Sequence, residues 1–150
     1  SNPVNAQIQP ELQGVLILND DALELLREDS GPTATQAAAL DALLLLRDPF
    51  RVVSVPEGFA TGPDRNTRVM VFVRNLRLVP GETAATVGVR LMGSDNQIRD
   101  VVAESLRTVP NTDLTQVVFR LPDGLPAGNC SVTIRVHEES SNTGTIRIAP

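Results

Sequence analysis

A chain of 150 residues has room for one domain, or for one domain with an extension. Hydrophobic residues make up 41%, enough for a packed core, but aromatics are only 3% with no Trp or Tyr, so that core must be Val, Leu and Ile with four Phe. The net charge of −5 makes nucleic acid a poor partner, because duplex binding is driven by basic patches that release counterions.

All the cationic side chains are Arg; with no Lys, a common guard of exposed sheet edges is missing. Cys130 is alone, so no internal disulfide framework can form. The longest apolar run, residues 37–46, is interrupted by Asp41 and is too short for a membrane span of roughly 20 residues. No signal peptide is visible and the first residue is Ser, which points to a processed chain or an excised piece.

Taken in order, residues 1–13 are polar, carry Pro3 and Pro10, and read as a loose arm. Val15, Leu16, Ile17 and Leu18 form a short apolar run, either an added strand or the lead into a helix. Asn19 or Asp20 can cap a helix over 21–28, with Asp21 and Glu24 in the first turn where the helix dipole favours acids. Ser30, Gly31 and Pro32 stop it. Thr33 followed by Gln36 resembles a capping box, which predicts a second helix over 34–47 that ends at Asp48-Pro49. Leu40, Leu43, Leu44, Leu45 and Leu46 cover more than one face of that helix. It is therefore expected to be buried on two sides, against the first helix, the following domain or another subunit.

From Phe50 onward the period changes to two. Residues 51–55 read as a first strand, 56–66 as a Gly/Pro loop, and 68–74 as a central strand partly covered on both faces. Val87, Val89 and Leu91 are the inward set of the next strand, and 98–106 carries one or two irregular strands. Three short strands close the chain: Val117, Phe119 and Leu121; Val132, Ile134 and Val136; Ile146 and Ile148. Breaks are expected at Asp123-Gly124 with Pro126 to Gly128, and at Ser140, Ser141 and Asn142. About seven short strands with a turn every 8–12 residues is the pattern of an immunoglobulin-like sandwich. The expected fold is mainly β, an immunoglobulin-like antiparallel β-sandwich over 48–150, preceded by a helical hairpin over 19–47 and an arm over 1–18.

The stretches DPFRVVSV, NTRVMVFVRNL and FRLPDGLPAGNCSVTIRV, with the final SNTGTIRI, resemble bacterial immunoglobulin-like domains of the IPT/TIG type. They are also similar to C-terminal modules of secreted bacterial proteins from acidobacteria-like sources. The usual module often has an aromatic after the LPAG turn, where this chain has Cys130, and lacks the expected helical extension. The resemblance implies a spacer, adhesion or assembly module, secreted or at the cell surface, with no shared catalytic residues or cofactor.

Side chains that could carry chemistry are few. His137 is the only histidine and is expected exposed at a strand end beside Glu138 and Glu139. Cys130 is expected to be a buried packing residue, because seven residues along one strand, roughly 23 Å, separate it from His137. Asp95, Asn96 and Asp100 are calcium candidates, as are Asn111 and Asp113, although ordinary turn chemistry also accounts for them. Zinc-ligand spacings, phosphate loops and dinucleotide fingerprints are absent. Residues 1–50 hold two Arg against eight acids, and the remainder holds eleven Arg against ten acids. An acidic arm could therefore lie on a sheet whose outward face carries Arg90, Arg120, Arg135 and Arg147. The expected function is non-enzymatic: a structural or interaction module that contacts a protein partner. Its alternatives are a self-assembling subunit that forms homo-oligomers by strand addition or helix packing, and an accessory domain of a secreted enzyme. The interface candidates are Val15, Leu16, Ile17, Leu18, Leu40 and Leu43 to Leu46.

Overall fold

The computed structural model describes residues 22–28, 35–53 and 64–150. The expected arm, the Val15 to Leu18 run and most of the Gly/Pro loop lie outside the described residues. Among the described residues nine strands follow one another: β1 (Glu24–Leu25), β2 (Ala39–Asp41), β3 (Arg68–Arg74), β4 (Gly88–Met92), β5 (Ile98–Val102), β6 (Ser105–Thr108), β7 (Leu114–Arg120), β8 (Gly128–Val136) and β9 (Glu139–Ile148). A 3-10 turn, Ala84–Thr86, precedes β4.

The strands form two antiparallel sheets. The front sheet has the order β9-β8-β4-β5; the back sheet has the order β1-β3-β7-β6, with β2 also on the outer edge of β3. Hairpins join β4 to β5, β6 to β7 and β8 to β9, while the intervening links pass from one sheet to the other.

Each strand's alternation of side chains sends one set between the sheets. Val69, Val71 and Val73 on β3 meet Val117 and Phe119 on β7, Val89 and Leu91 on β4, and Cys130, Val132 and Ile134 on β8; each is at most 1% exposed. Fully burying one such aliphatic side chain stabilises by about 1.5–3 kcal/mol. Met70, on the outer face of β3 opposite Leu40 and Val118, is buried as well.

The helical hairpin expected over 19–47 is not formed: the described part of it contains strands, bridges and turns, and no helix. Residues 24–26 run along the end of β3. Residues 35–37 then lie parallel to β9, with Ala37 N donating to Thr145 O at 2.9 Å, before residues 39–41 return to β3. Burial alternates at Ala37, Ala39 and Asp41, the period of a strand. Local propensity favours helix in this Ala- and Leu-rich stretch, but ladder bonds to β3 and β9 override it.

Gly144 makes this crossing possible. A Cβ there would sit 2.8 Å from Ala37 Cβ and 2.9 Å from Leu25 Cδ2. Phe50 pairs in parallel with Ile148, so the same segment closes the far end of β9.

The second closing turn also differs from expectation. It is the two-residue turn His137-Glu138, both with positive φ (50° and 67°), the backbone of a type I′ hairpin. Ser140, Ser141 and Asn142 lie inside β9, where the register shifts; the Ser141 hydroxyl accepts from Ile134 N at 2.9 Å across the irregularity.

Candidate functional site

Two exposed features stand out among the described residues. The first is the loop after β2. Asp41, 8% exposed, organises it. Its Oδ1 accepts from Leu43 N at 2.8 Å and Leu44 N at 2.9 Å, its carbonyl accepts from Leu45 N at 2.8 Å, and its own N–H donates to Leu46 O at 2.7 Å. Ala42 N donates to Arg68 O at 2.8 Å. Five consecutive amides are thus satisfied within the chain. The leucine side chains point away: Leu43, Leu44, Leu45 and Leu46 are 40–61% exposed, and Leu45 has φ 58°, a left-handed conformation rare for a bulky residue. These residues were expected inside a helix buried on two sides. The structure instead holds them out in a braced loop, because Asp41 turns the chain as soon as β2 ends. Leu40 alone stays in the sheet, partly buried.

The second is the free edge of the front sheet. β5 pairs with β4 on one side, and no described strand lies on the other. Ala103 N donates to Val87 O and Gly93 N to Gln97 O, which fixes the phase of the ladder. Odd-numbered residues of β5 therefore bond to β4, and the N–H and C=O of Ile98, Asp100 and Val102 point outward. Ile98 and Val102 are each 53% exposed, and Met92, opposite Ile98, is 39% exposed. Behind this edge a concavity of about 640 Å³ lies on the outer face, with Gly88, Arg90, Asp100, Val102, Arg135 and His137 in its lining.

The calcium candidates are not brought together. Asp100 faces Arg90 across the β4–β5 ladder and accepts from its Nε at 2.9 Å and Nη2 at 3.1 Å. Asp95 accepts from Arg99 Nη2 at 3.0 Å and from Gln97 N at 3.1 Å. Asn96 takes a positive φ of 62° in the turn between them. Asn111 likewise sits in a turn with φ 64°, and Asp113 pairs with Arg74 at 3.0 Å. Among the described residues no cluster of three His, Cys, Asp or Glu could hold a metal ion.

Arginine partners set the electrostatics. Arg68 and Arg120 face each other across the β3–β7 ladder, a like-charge pair that Asp64 bridges at 3.1 and 2.9 Å. The Arg68 guanidinium, the Asn66 N–H and Arg120 hold the Asp64 carboxyl well below its usual range. Arg99 lowers Asp95 in the same way, and Arg90 lowers Asp100. Of the described N-terminal acids, Glu24 pairs with Arg74 at 3.1 Å and Glu28 with Arg47; Arg90 and Arg120, expected to receive an acidic arm, pair instead with Asp100 and Asp64.

His137, at the β8–β9 turn, is half-exposed, and its Nε2 lies 2.8 and 2.9 Å from the two Glu82 oxygens. The Val79 N–H and then His137 lower the Glu82 carboxyl. Cys130 points inward from β8 with no exposed surface, and burial pushes its thiol up to about 11. It stays a packing thiol, away from His137 at the other end of the strand.

No described helix is long and apolar enough to cross a membrane. No family model, no curated protein and no solved structure matches the chain. Ile98, Val102 and Met92 were not singled out from sequence. The signal was there: Ile98, Asp100 and Val102 follow the period of two on the outward side of a strand rich in β-formers.

Proposed function

We propose that this chain is an immunoglobulin-like sandwich of the IPT/TIG type and works as a non-catalytic structural or interaction module, secreted or at the cell surface, through protein–protein contacts. The two-sheet strand order, with hairpins alternating with sheet-to-sheet links, supports the immunoglobulin-like reading. The single observation that carries the contact role is the loop of Leu43 to Leu46: four exposed leucines following a turn in which the amides of Asp41 to Leu45 are all bonded within the chain. Contiguous exposed aliphatic surface marks a contact site, and backbone groups already satisfied lower the cost of covering it.

Site-specific photocrosslinking in the native cell tests this. A photoreactive side chain at Leu44 or Leu46 should give a discrete protein adduct in the secreted or surface fraction. The same group at the exposed Arg107 should give none. Equal, diffuse labelling at all three positions would remove the reading.

A further inference from the structure

We infer that the open β5 edge receives an extended strand from another protein, with a basic residue facing Asp100 and aliphatic residues two positions to either side. This rests on the reading of the chain as an interaction module and names a surface and a partner chemistry for it. Three consecutive even-numbered residues, Ile98, Asp100 and Val102, direct their backbone donors and acceptors away from β4. An added strand is the partner that satisfies such a row in full, as in β-augmentation.

The side chains then select the partner's sequence. Ile98 and Val102 are half-exposed on the same outer face and fit aliphatic neighbours across the new ladder. Asp100 lies between them with its side chain 58% exposed. Arg90 grips its carboxylate from the β4 side with two bonds, and an exposed carboxylate so held can accept further bonds.

A second copy of this chain is a poorer fit. Antiparallel pairing of β5 with itself about Asp100 would satisfy the same backbone groups, but it sets the two Asp100 carboxylates directly opposite each other, a destabilising like-charge pair. Shifting that register by two places Ile98 against Asp100. In this chain Asp100 therefore guards against self-pairing and attracts a partner of opposite charge.

Blocked peptides with the core Val-Thr-Arg-Thr-Val and Val-Thr-Glu-Thr-Val, titrated into the full chain and followed by amide NMR shifts, test the inference. The Arg-centred peptide should shift the Ile98, Asp100 and Val102 amides and bind at least about fivefold tighter than the Glu-centred one. D100R should reverse that order, and the double variant I98K/V102K should weaken both, with an otherwise unchanged amide spectrum as the folding control. No response of these three amides at millimolar peptide, or an order that D100R leaves unchanged, overturns it. If the peptides fail while Leu44 still crosslinks, only the edge inference falls; if they bind while crosslinking fails, only the leucine-loop evidence does.

Discussion

The Asn142 side chain acts as a piece of strand for Leu25. Its Oδ1 accepts from Leu25 N at 2.7 Å and its Nδ2 donates to Leu25 O at 3.0 Å, tying β9 of the front sheet to β1 of the back sheet. Glu139 Oε2 adds a bond from Leu23 N at 3.0 Å, and Asp48 Oδ2 accepts from both Gln36 Nε2 and Arg147 N. The N-terminal segment is therefore fastened by side chains where it leaves one sheet for the other. Asn142→Ala leaves a buried donor and acceptor unpaired, which costs about 2 kcal/mol, readable as a lower urea midpoint at unchanged slope. Asn142→Asp keeps the acceptor and loses the donor, so it should also be destabilised.

Gly144→Ala should destabilise by about 1–3 kcal/mol, because the new methyl meets Ala37 Cβ at 2.8 Å and nothing in φ forbids alanine there. Adding Ala37→Gly should recover part of the loss. A double-mutant cycle in urea with no coupling between the two sites would contradict the crossing of residues 35–37 over β9.

At the β8–β9 turn, His137 and Glu138 occupy positive-φ positions that Asn and Gly fill more readily. The double change His137→Asn, Glu138→Gly should raise thermal stability by about 1 kcal/mol, net of the exposed contact with Glu82. Unchanged or lower thermal stability would mean that the Glu82 contact outweighs the turn.

Stability should fall on acidification. Asp64, Glu82, Asp95 and Asp100 are all depressed in the folded chain. Their contribution is complete above the unfolded carboxylate range, about pH 4, and is lost as pH drops through the lower folded values. Urea midpoints measured from pH 6 to pH 2 should decline, and D64N should flatten the decline. Because these groups are exposed, high salt should shrink the effect.

These particulars also show where sequence alone suffices. Val69, Val71 and Val73, or Val132, Ile134 and Val136, declare their strands by alternation, since one face is dry and the other wet along each. Residues 24–27 and 35–41 do not. Their helical look comes from Ala and Leu, while the ladders that hold them as strands depend on β3 and β9, far away in the chain. The turn was misplaced because His137 and Glu138 are not typical turn formers, whereas Ser140 to Asn142 are and serve instead in an irregularity of β9. Leu43 to Leu46 were expected as interface residues on a buried helix, whereas the structure holds them in an exposed loop set by Asp41. Asp100 could not be assigned to Arg90 without the β4–β5 register, nor Asp113 to Arg74 without the β3–β7 pairing.

Amide hydrogen exchange along β5 tests most directly that the molecule keeps an open edge for a partner strand. In the isolated chain, Ile98, Asp100 and Val102 amides should exchange far faster than those of Arg99 and Val101, and the three should become protected when the Arg-centred peptide is added. Uniform protection of all five amides before any addition, or none gained afterward, would contradict it.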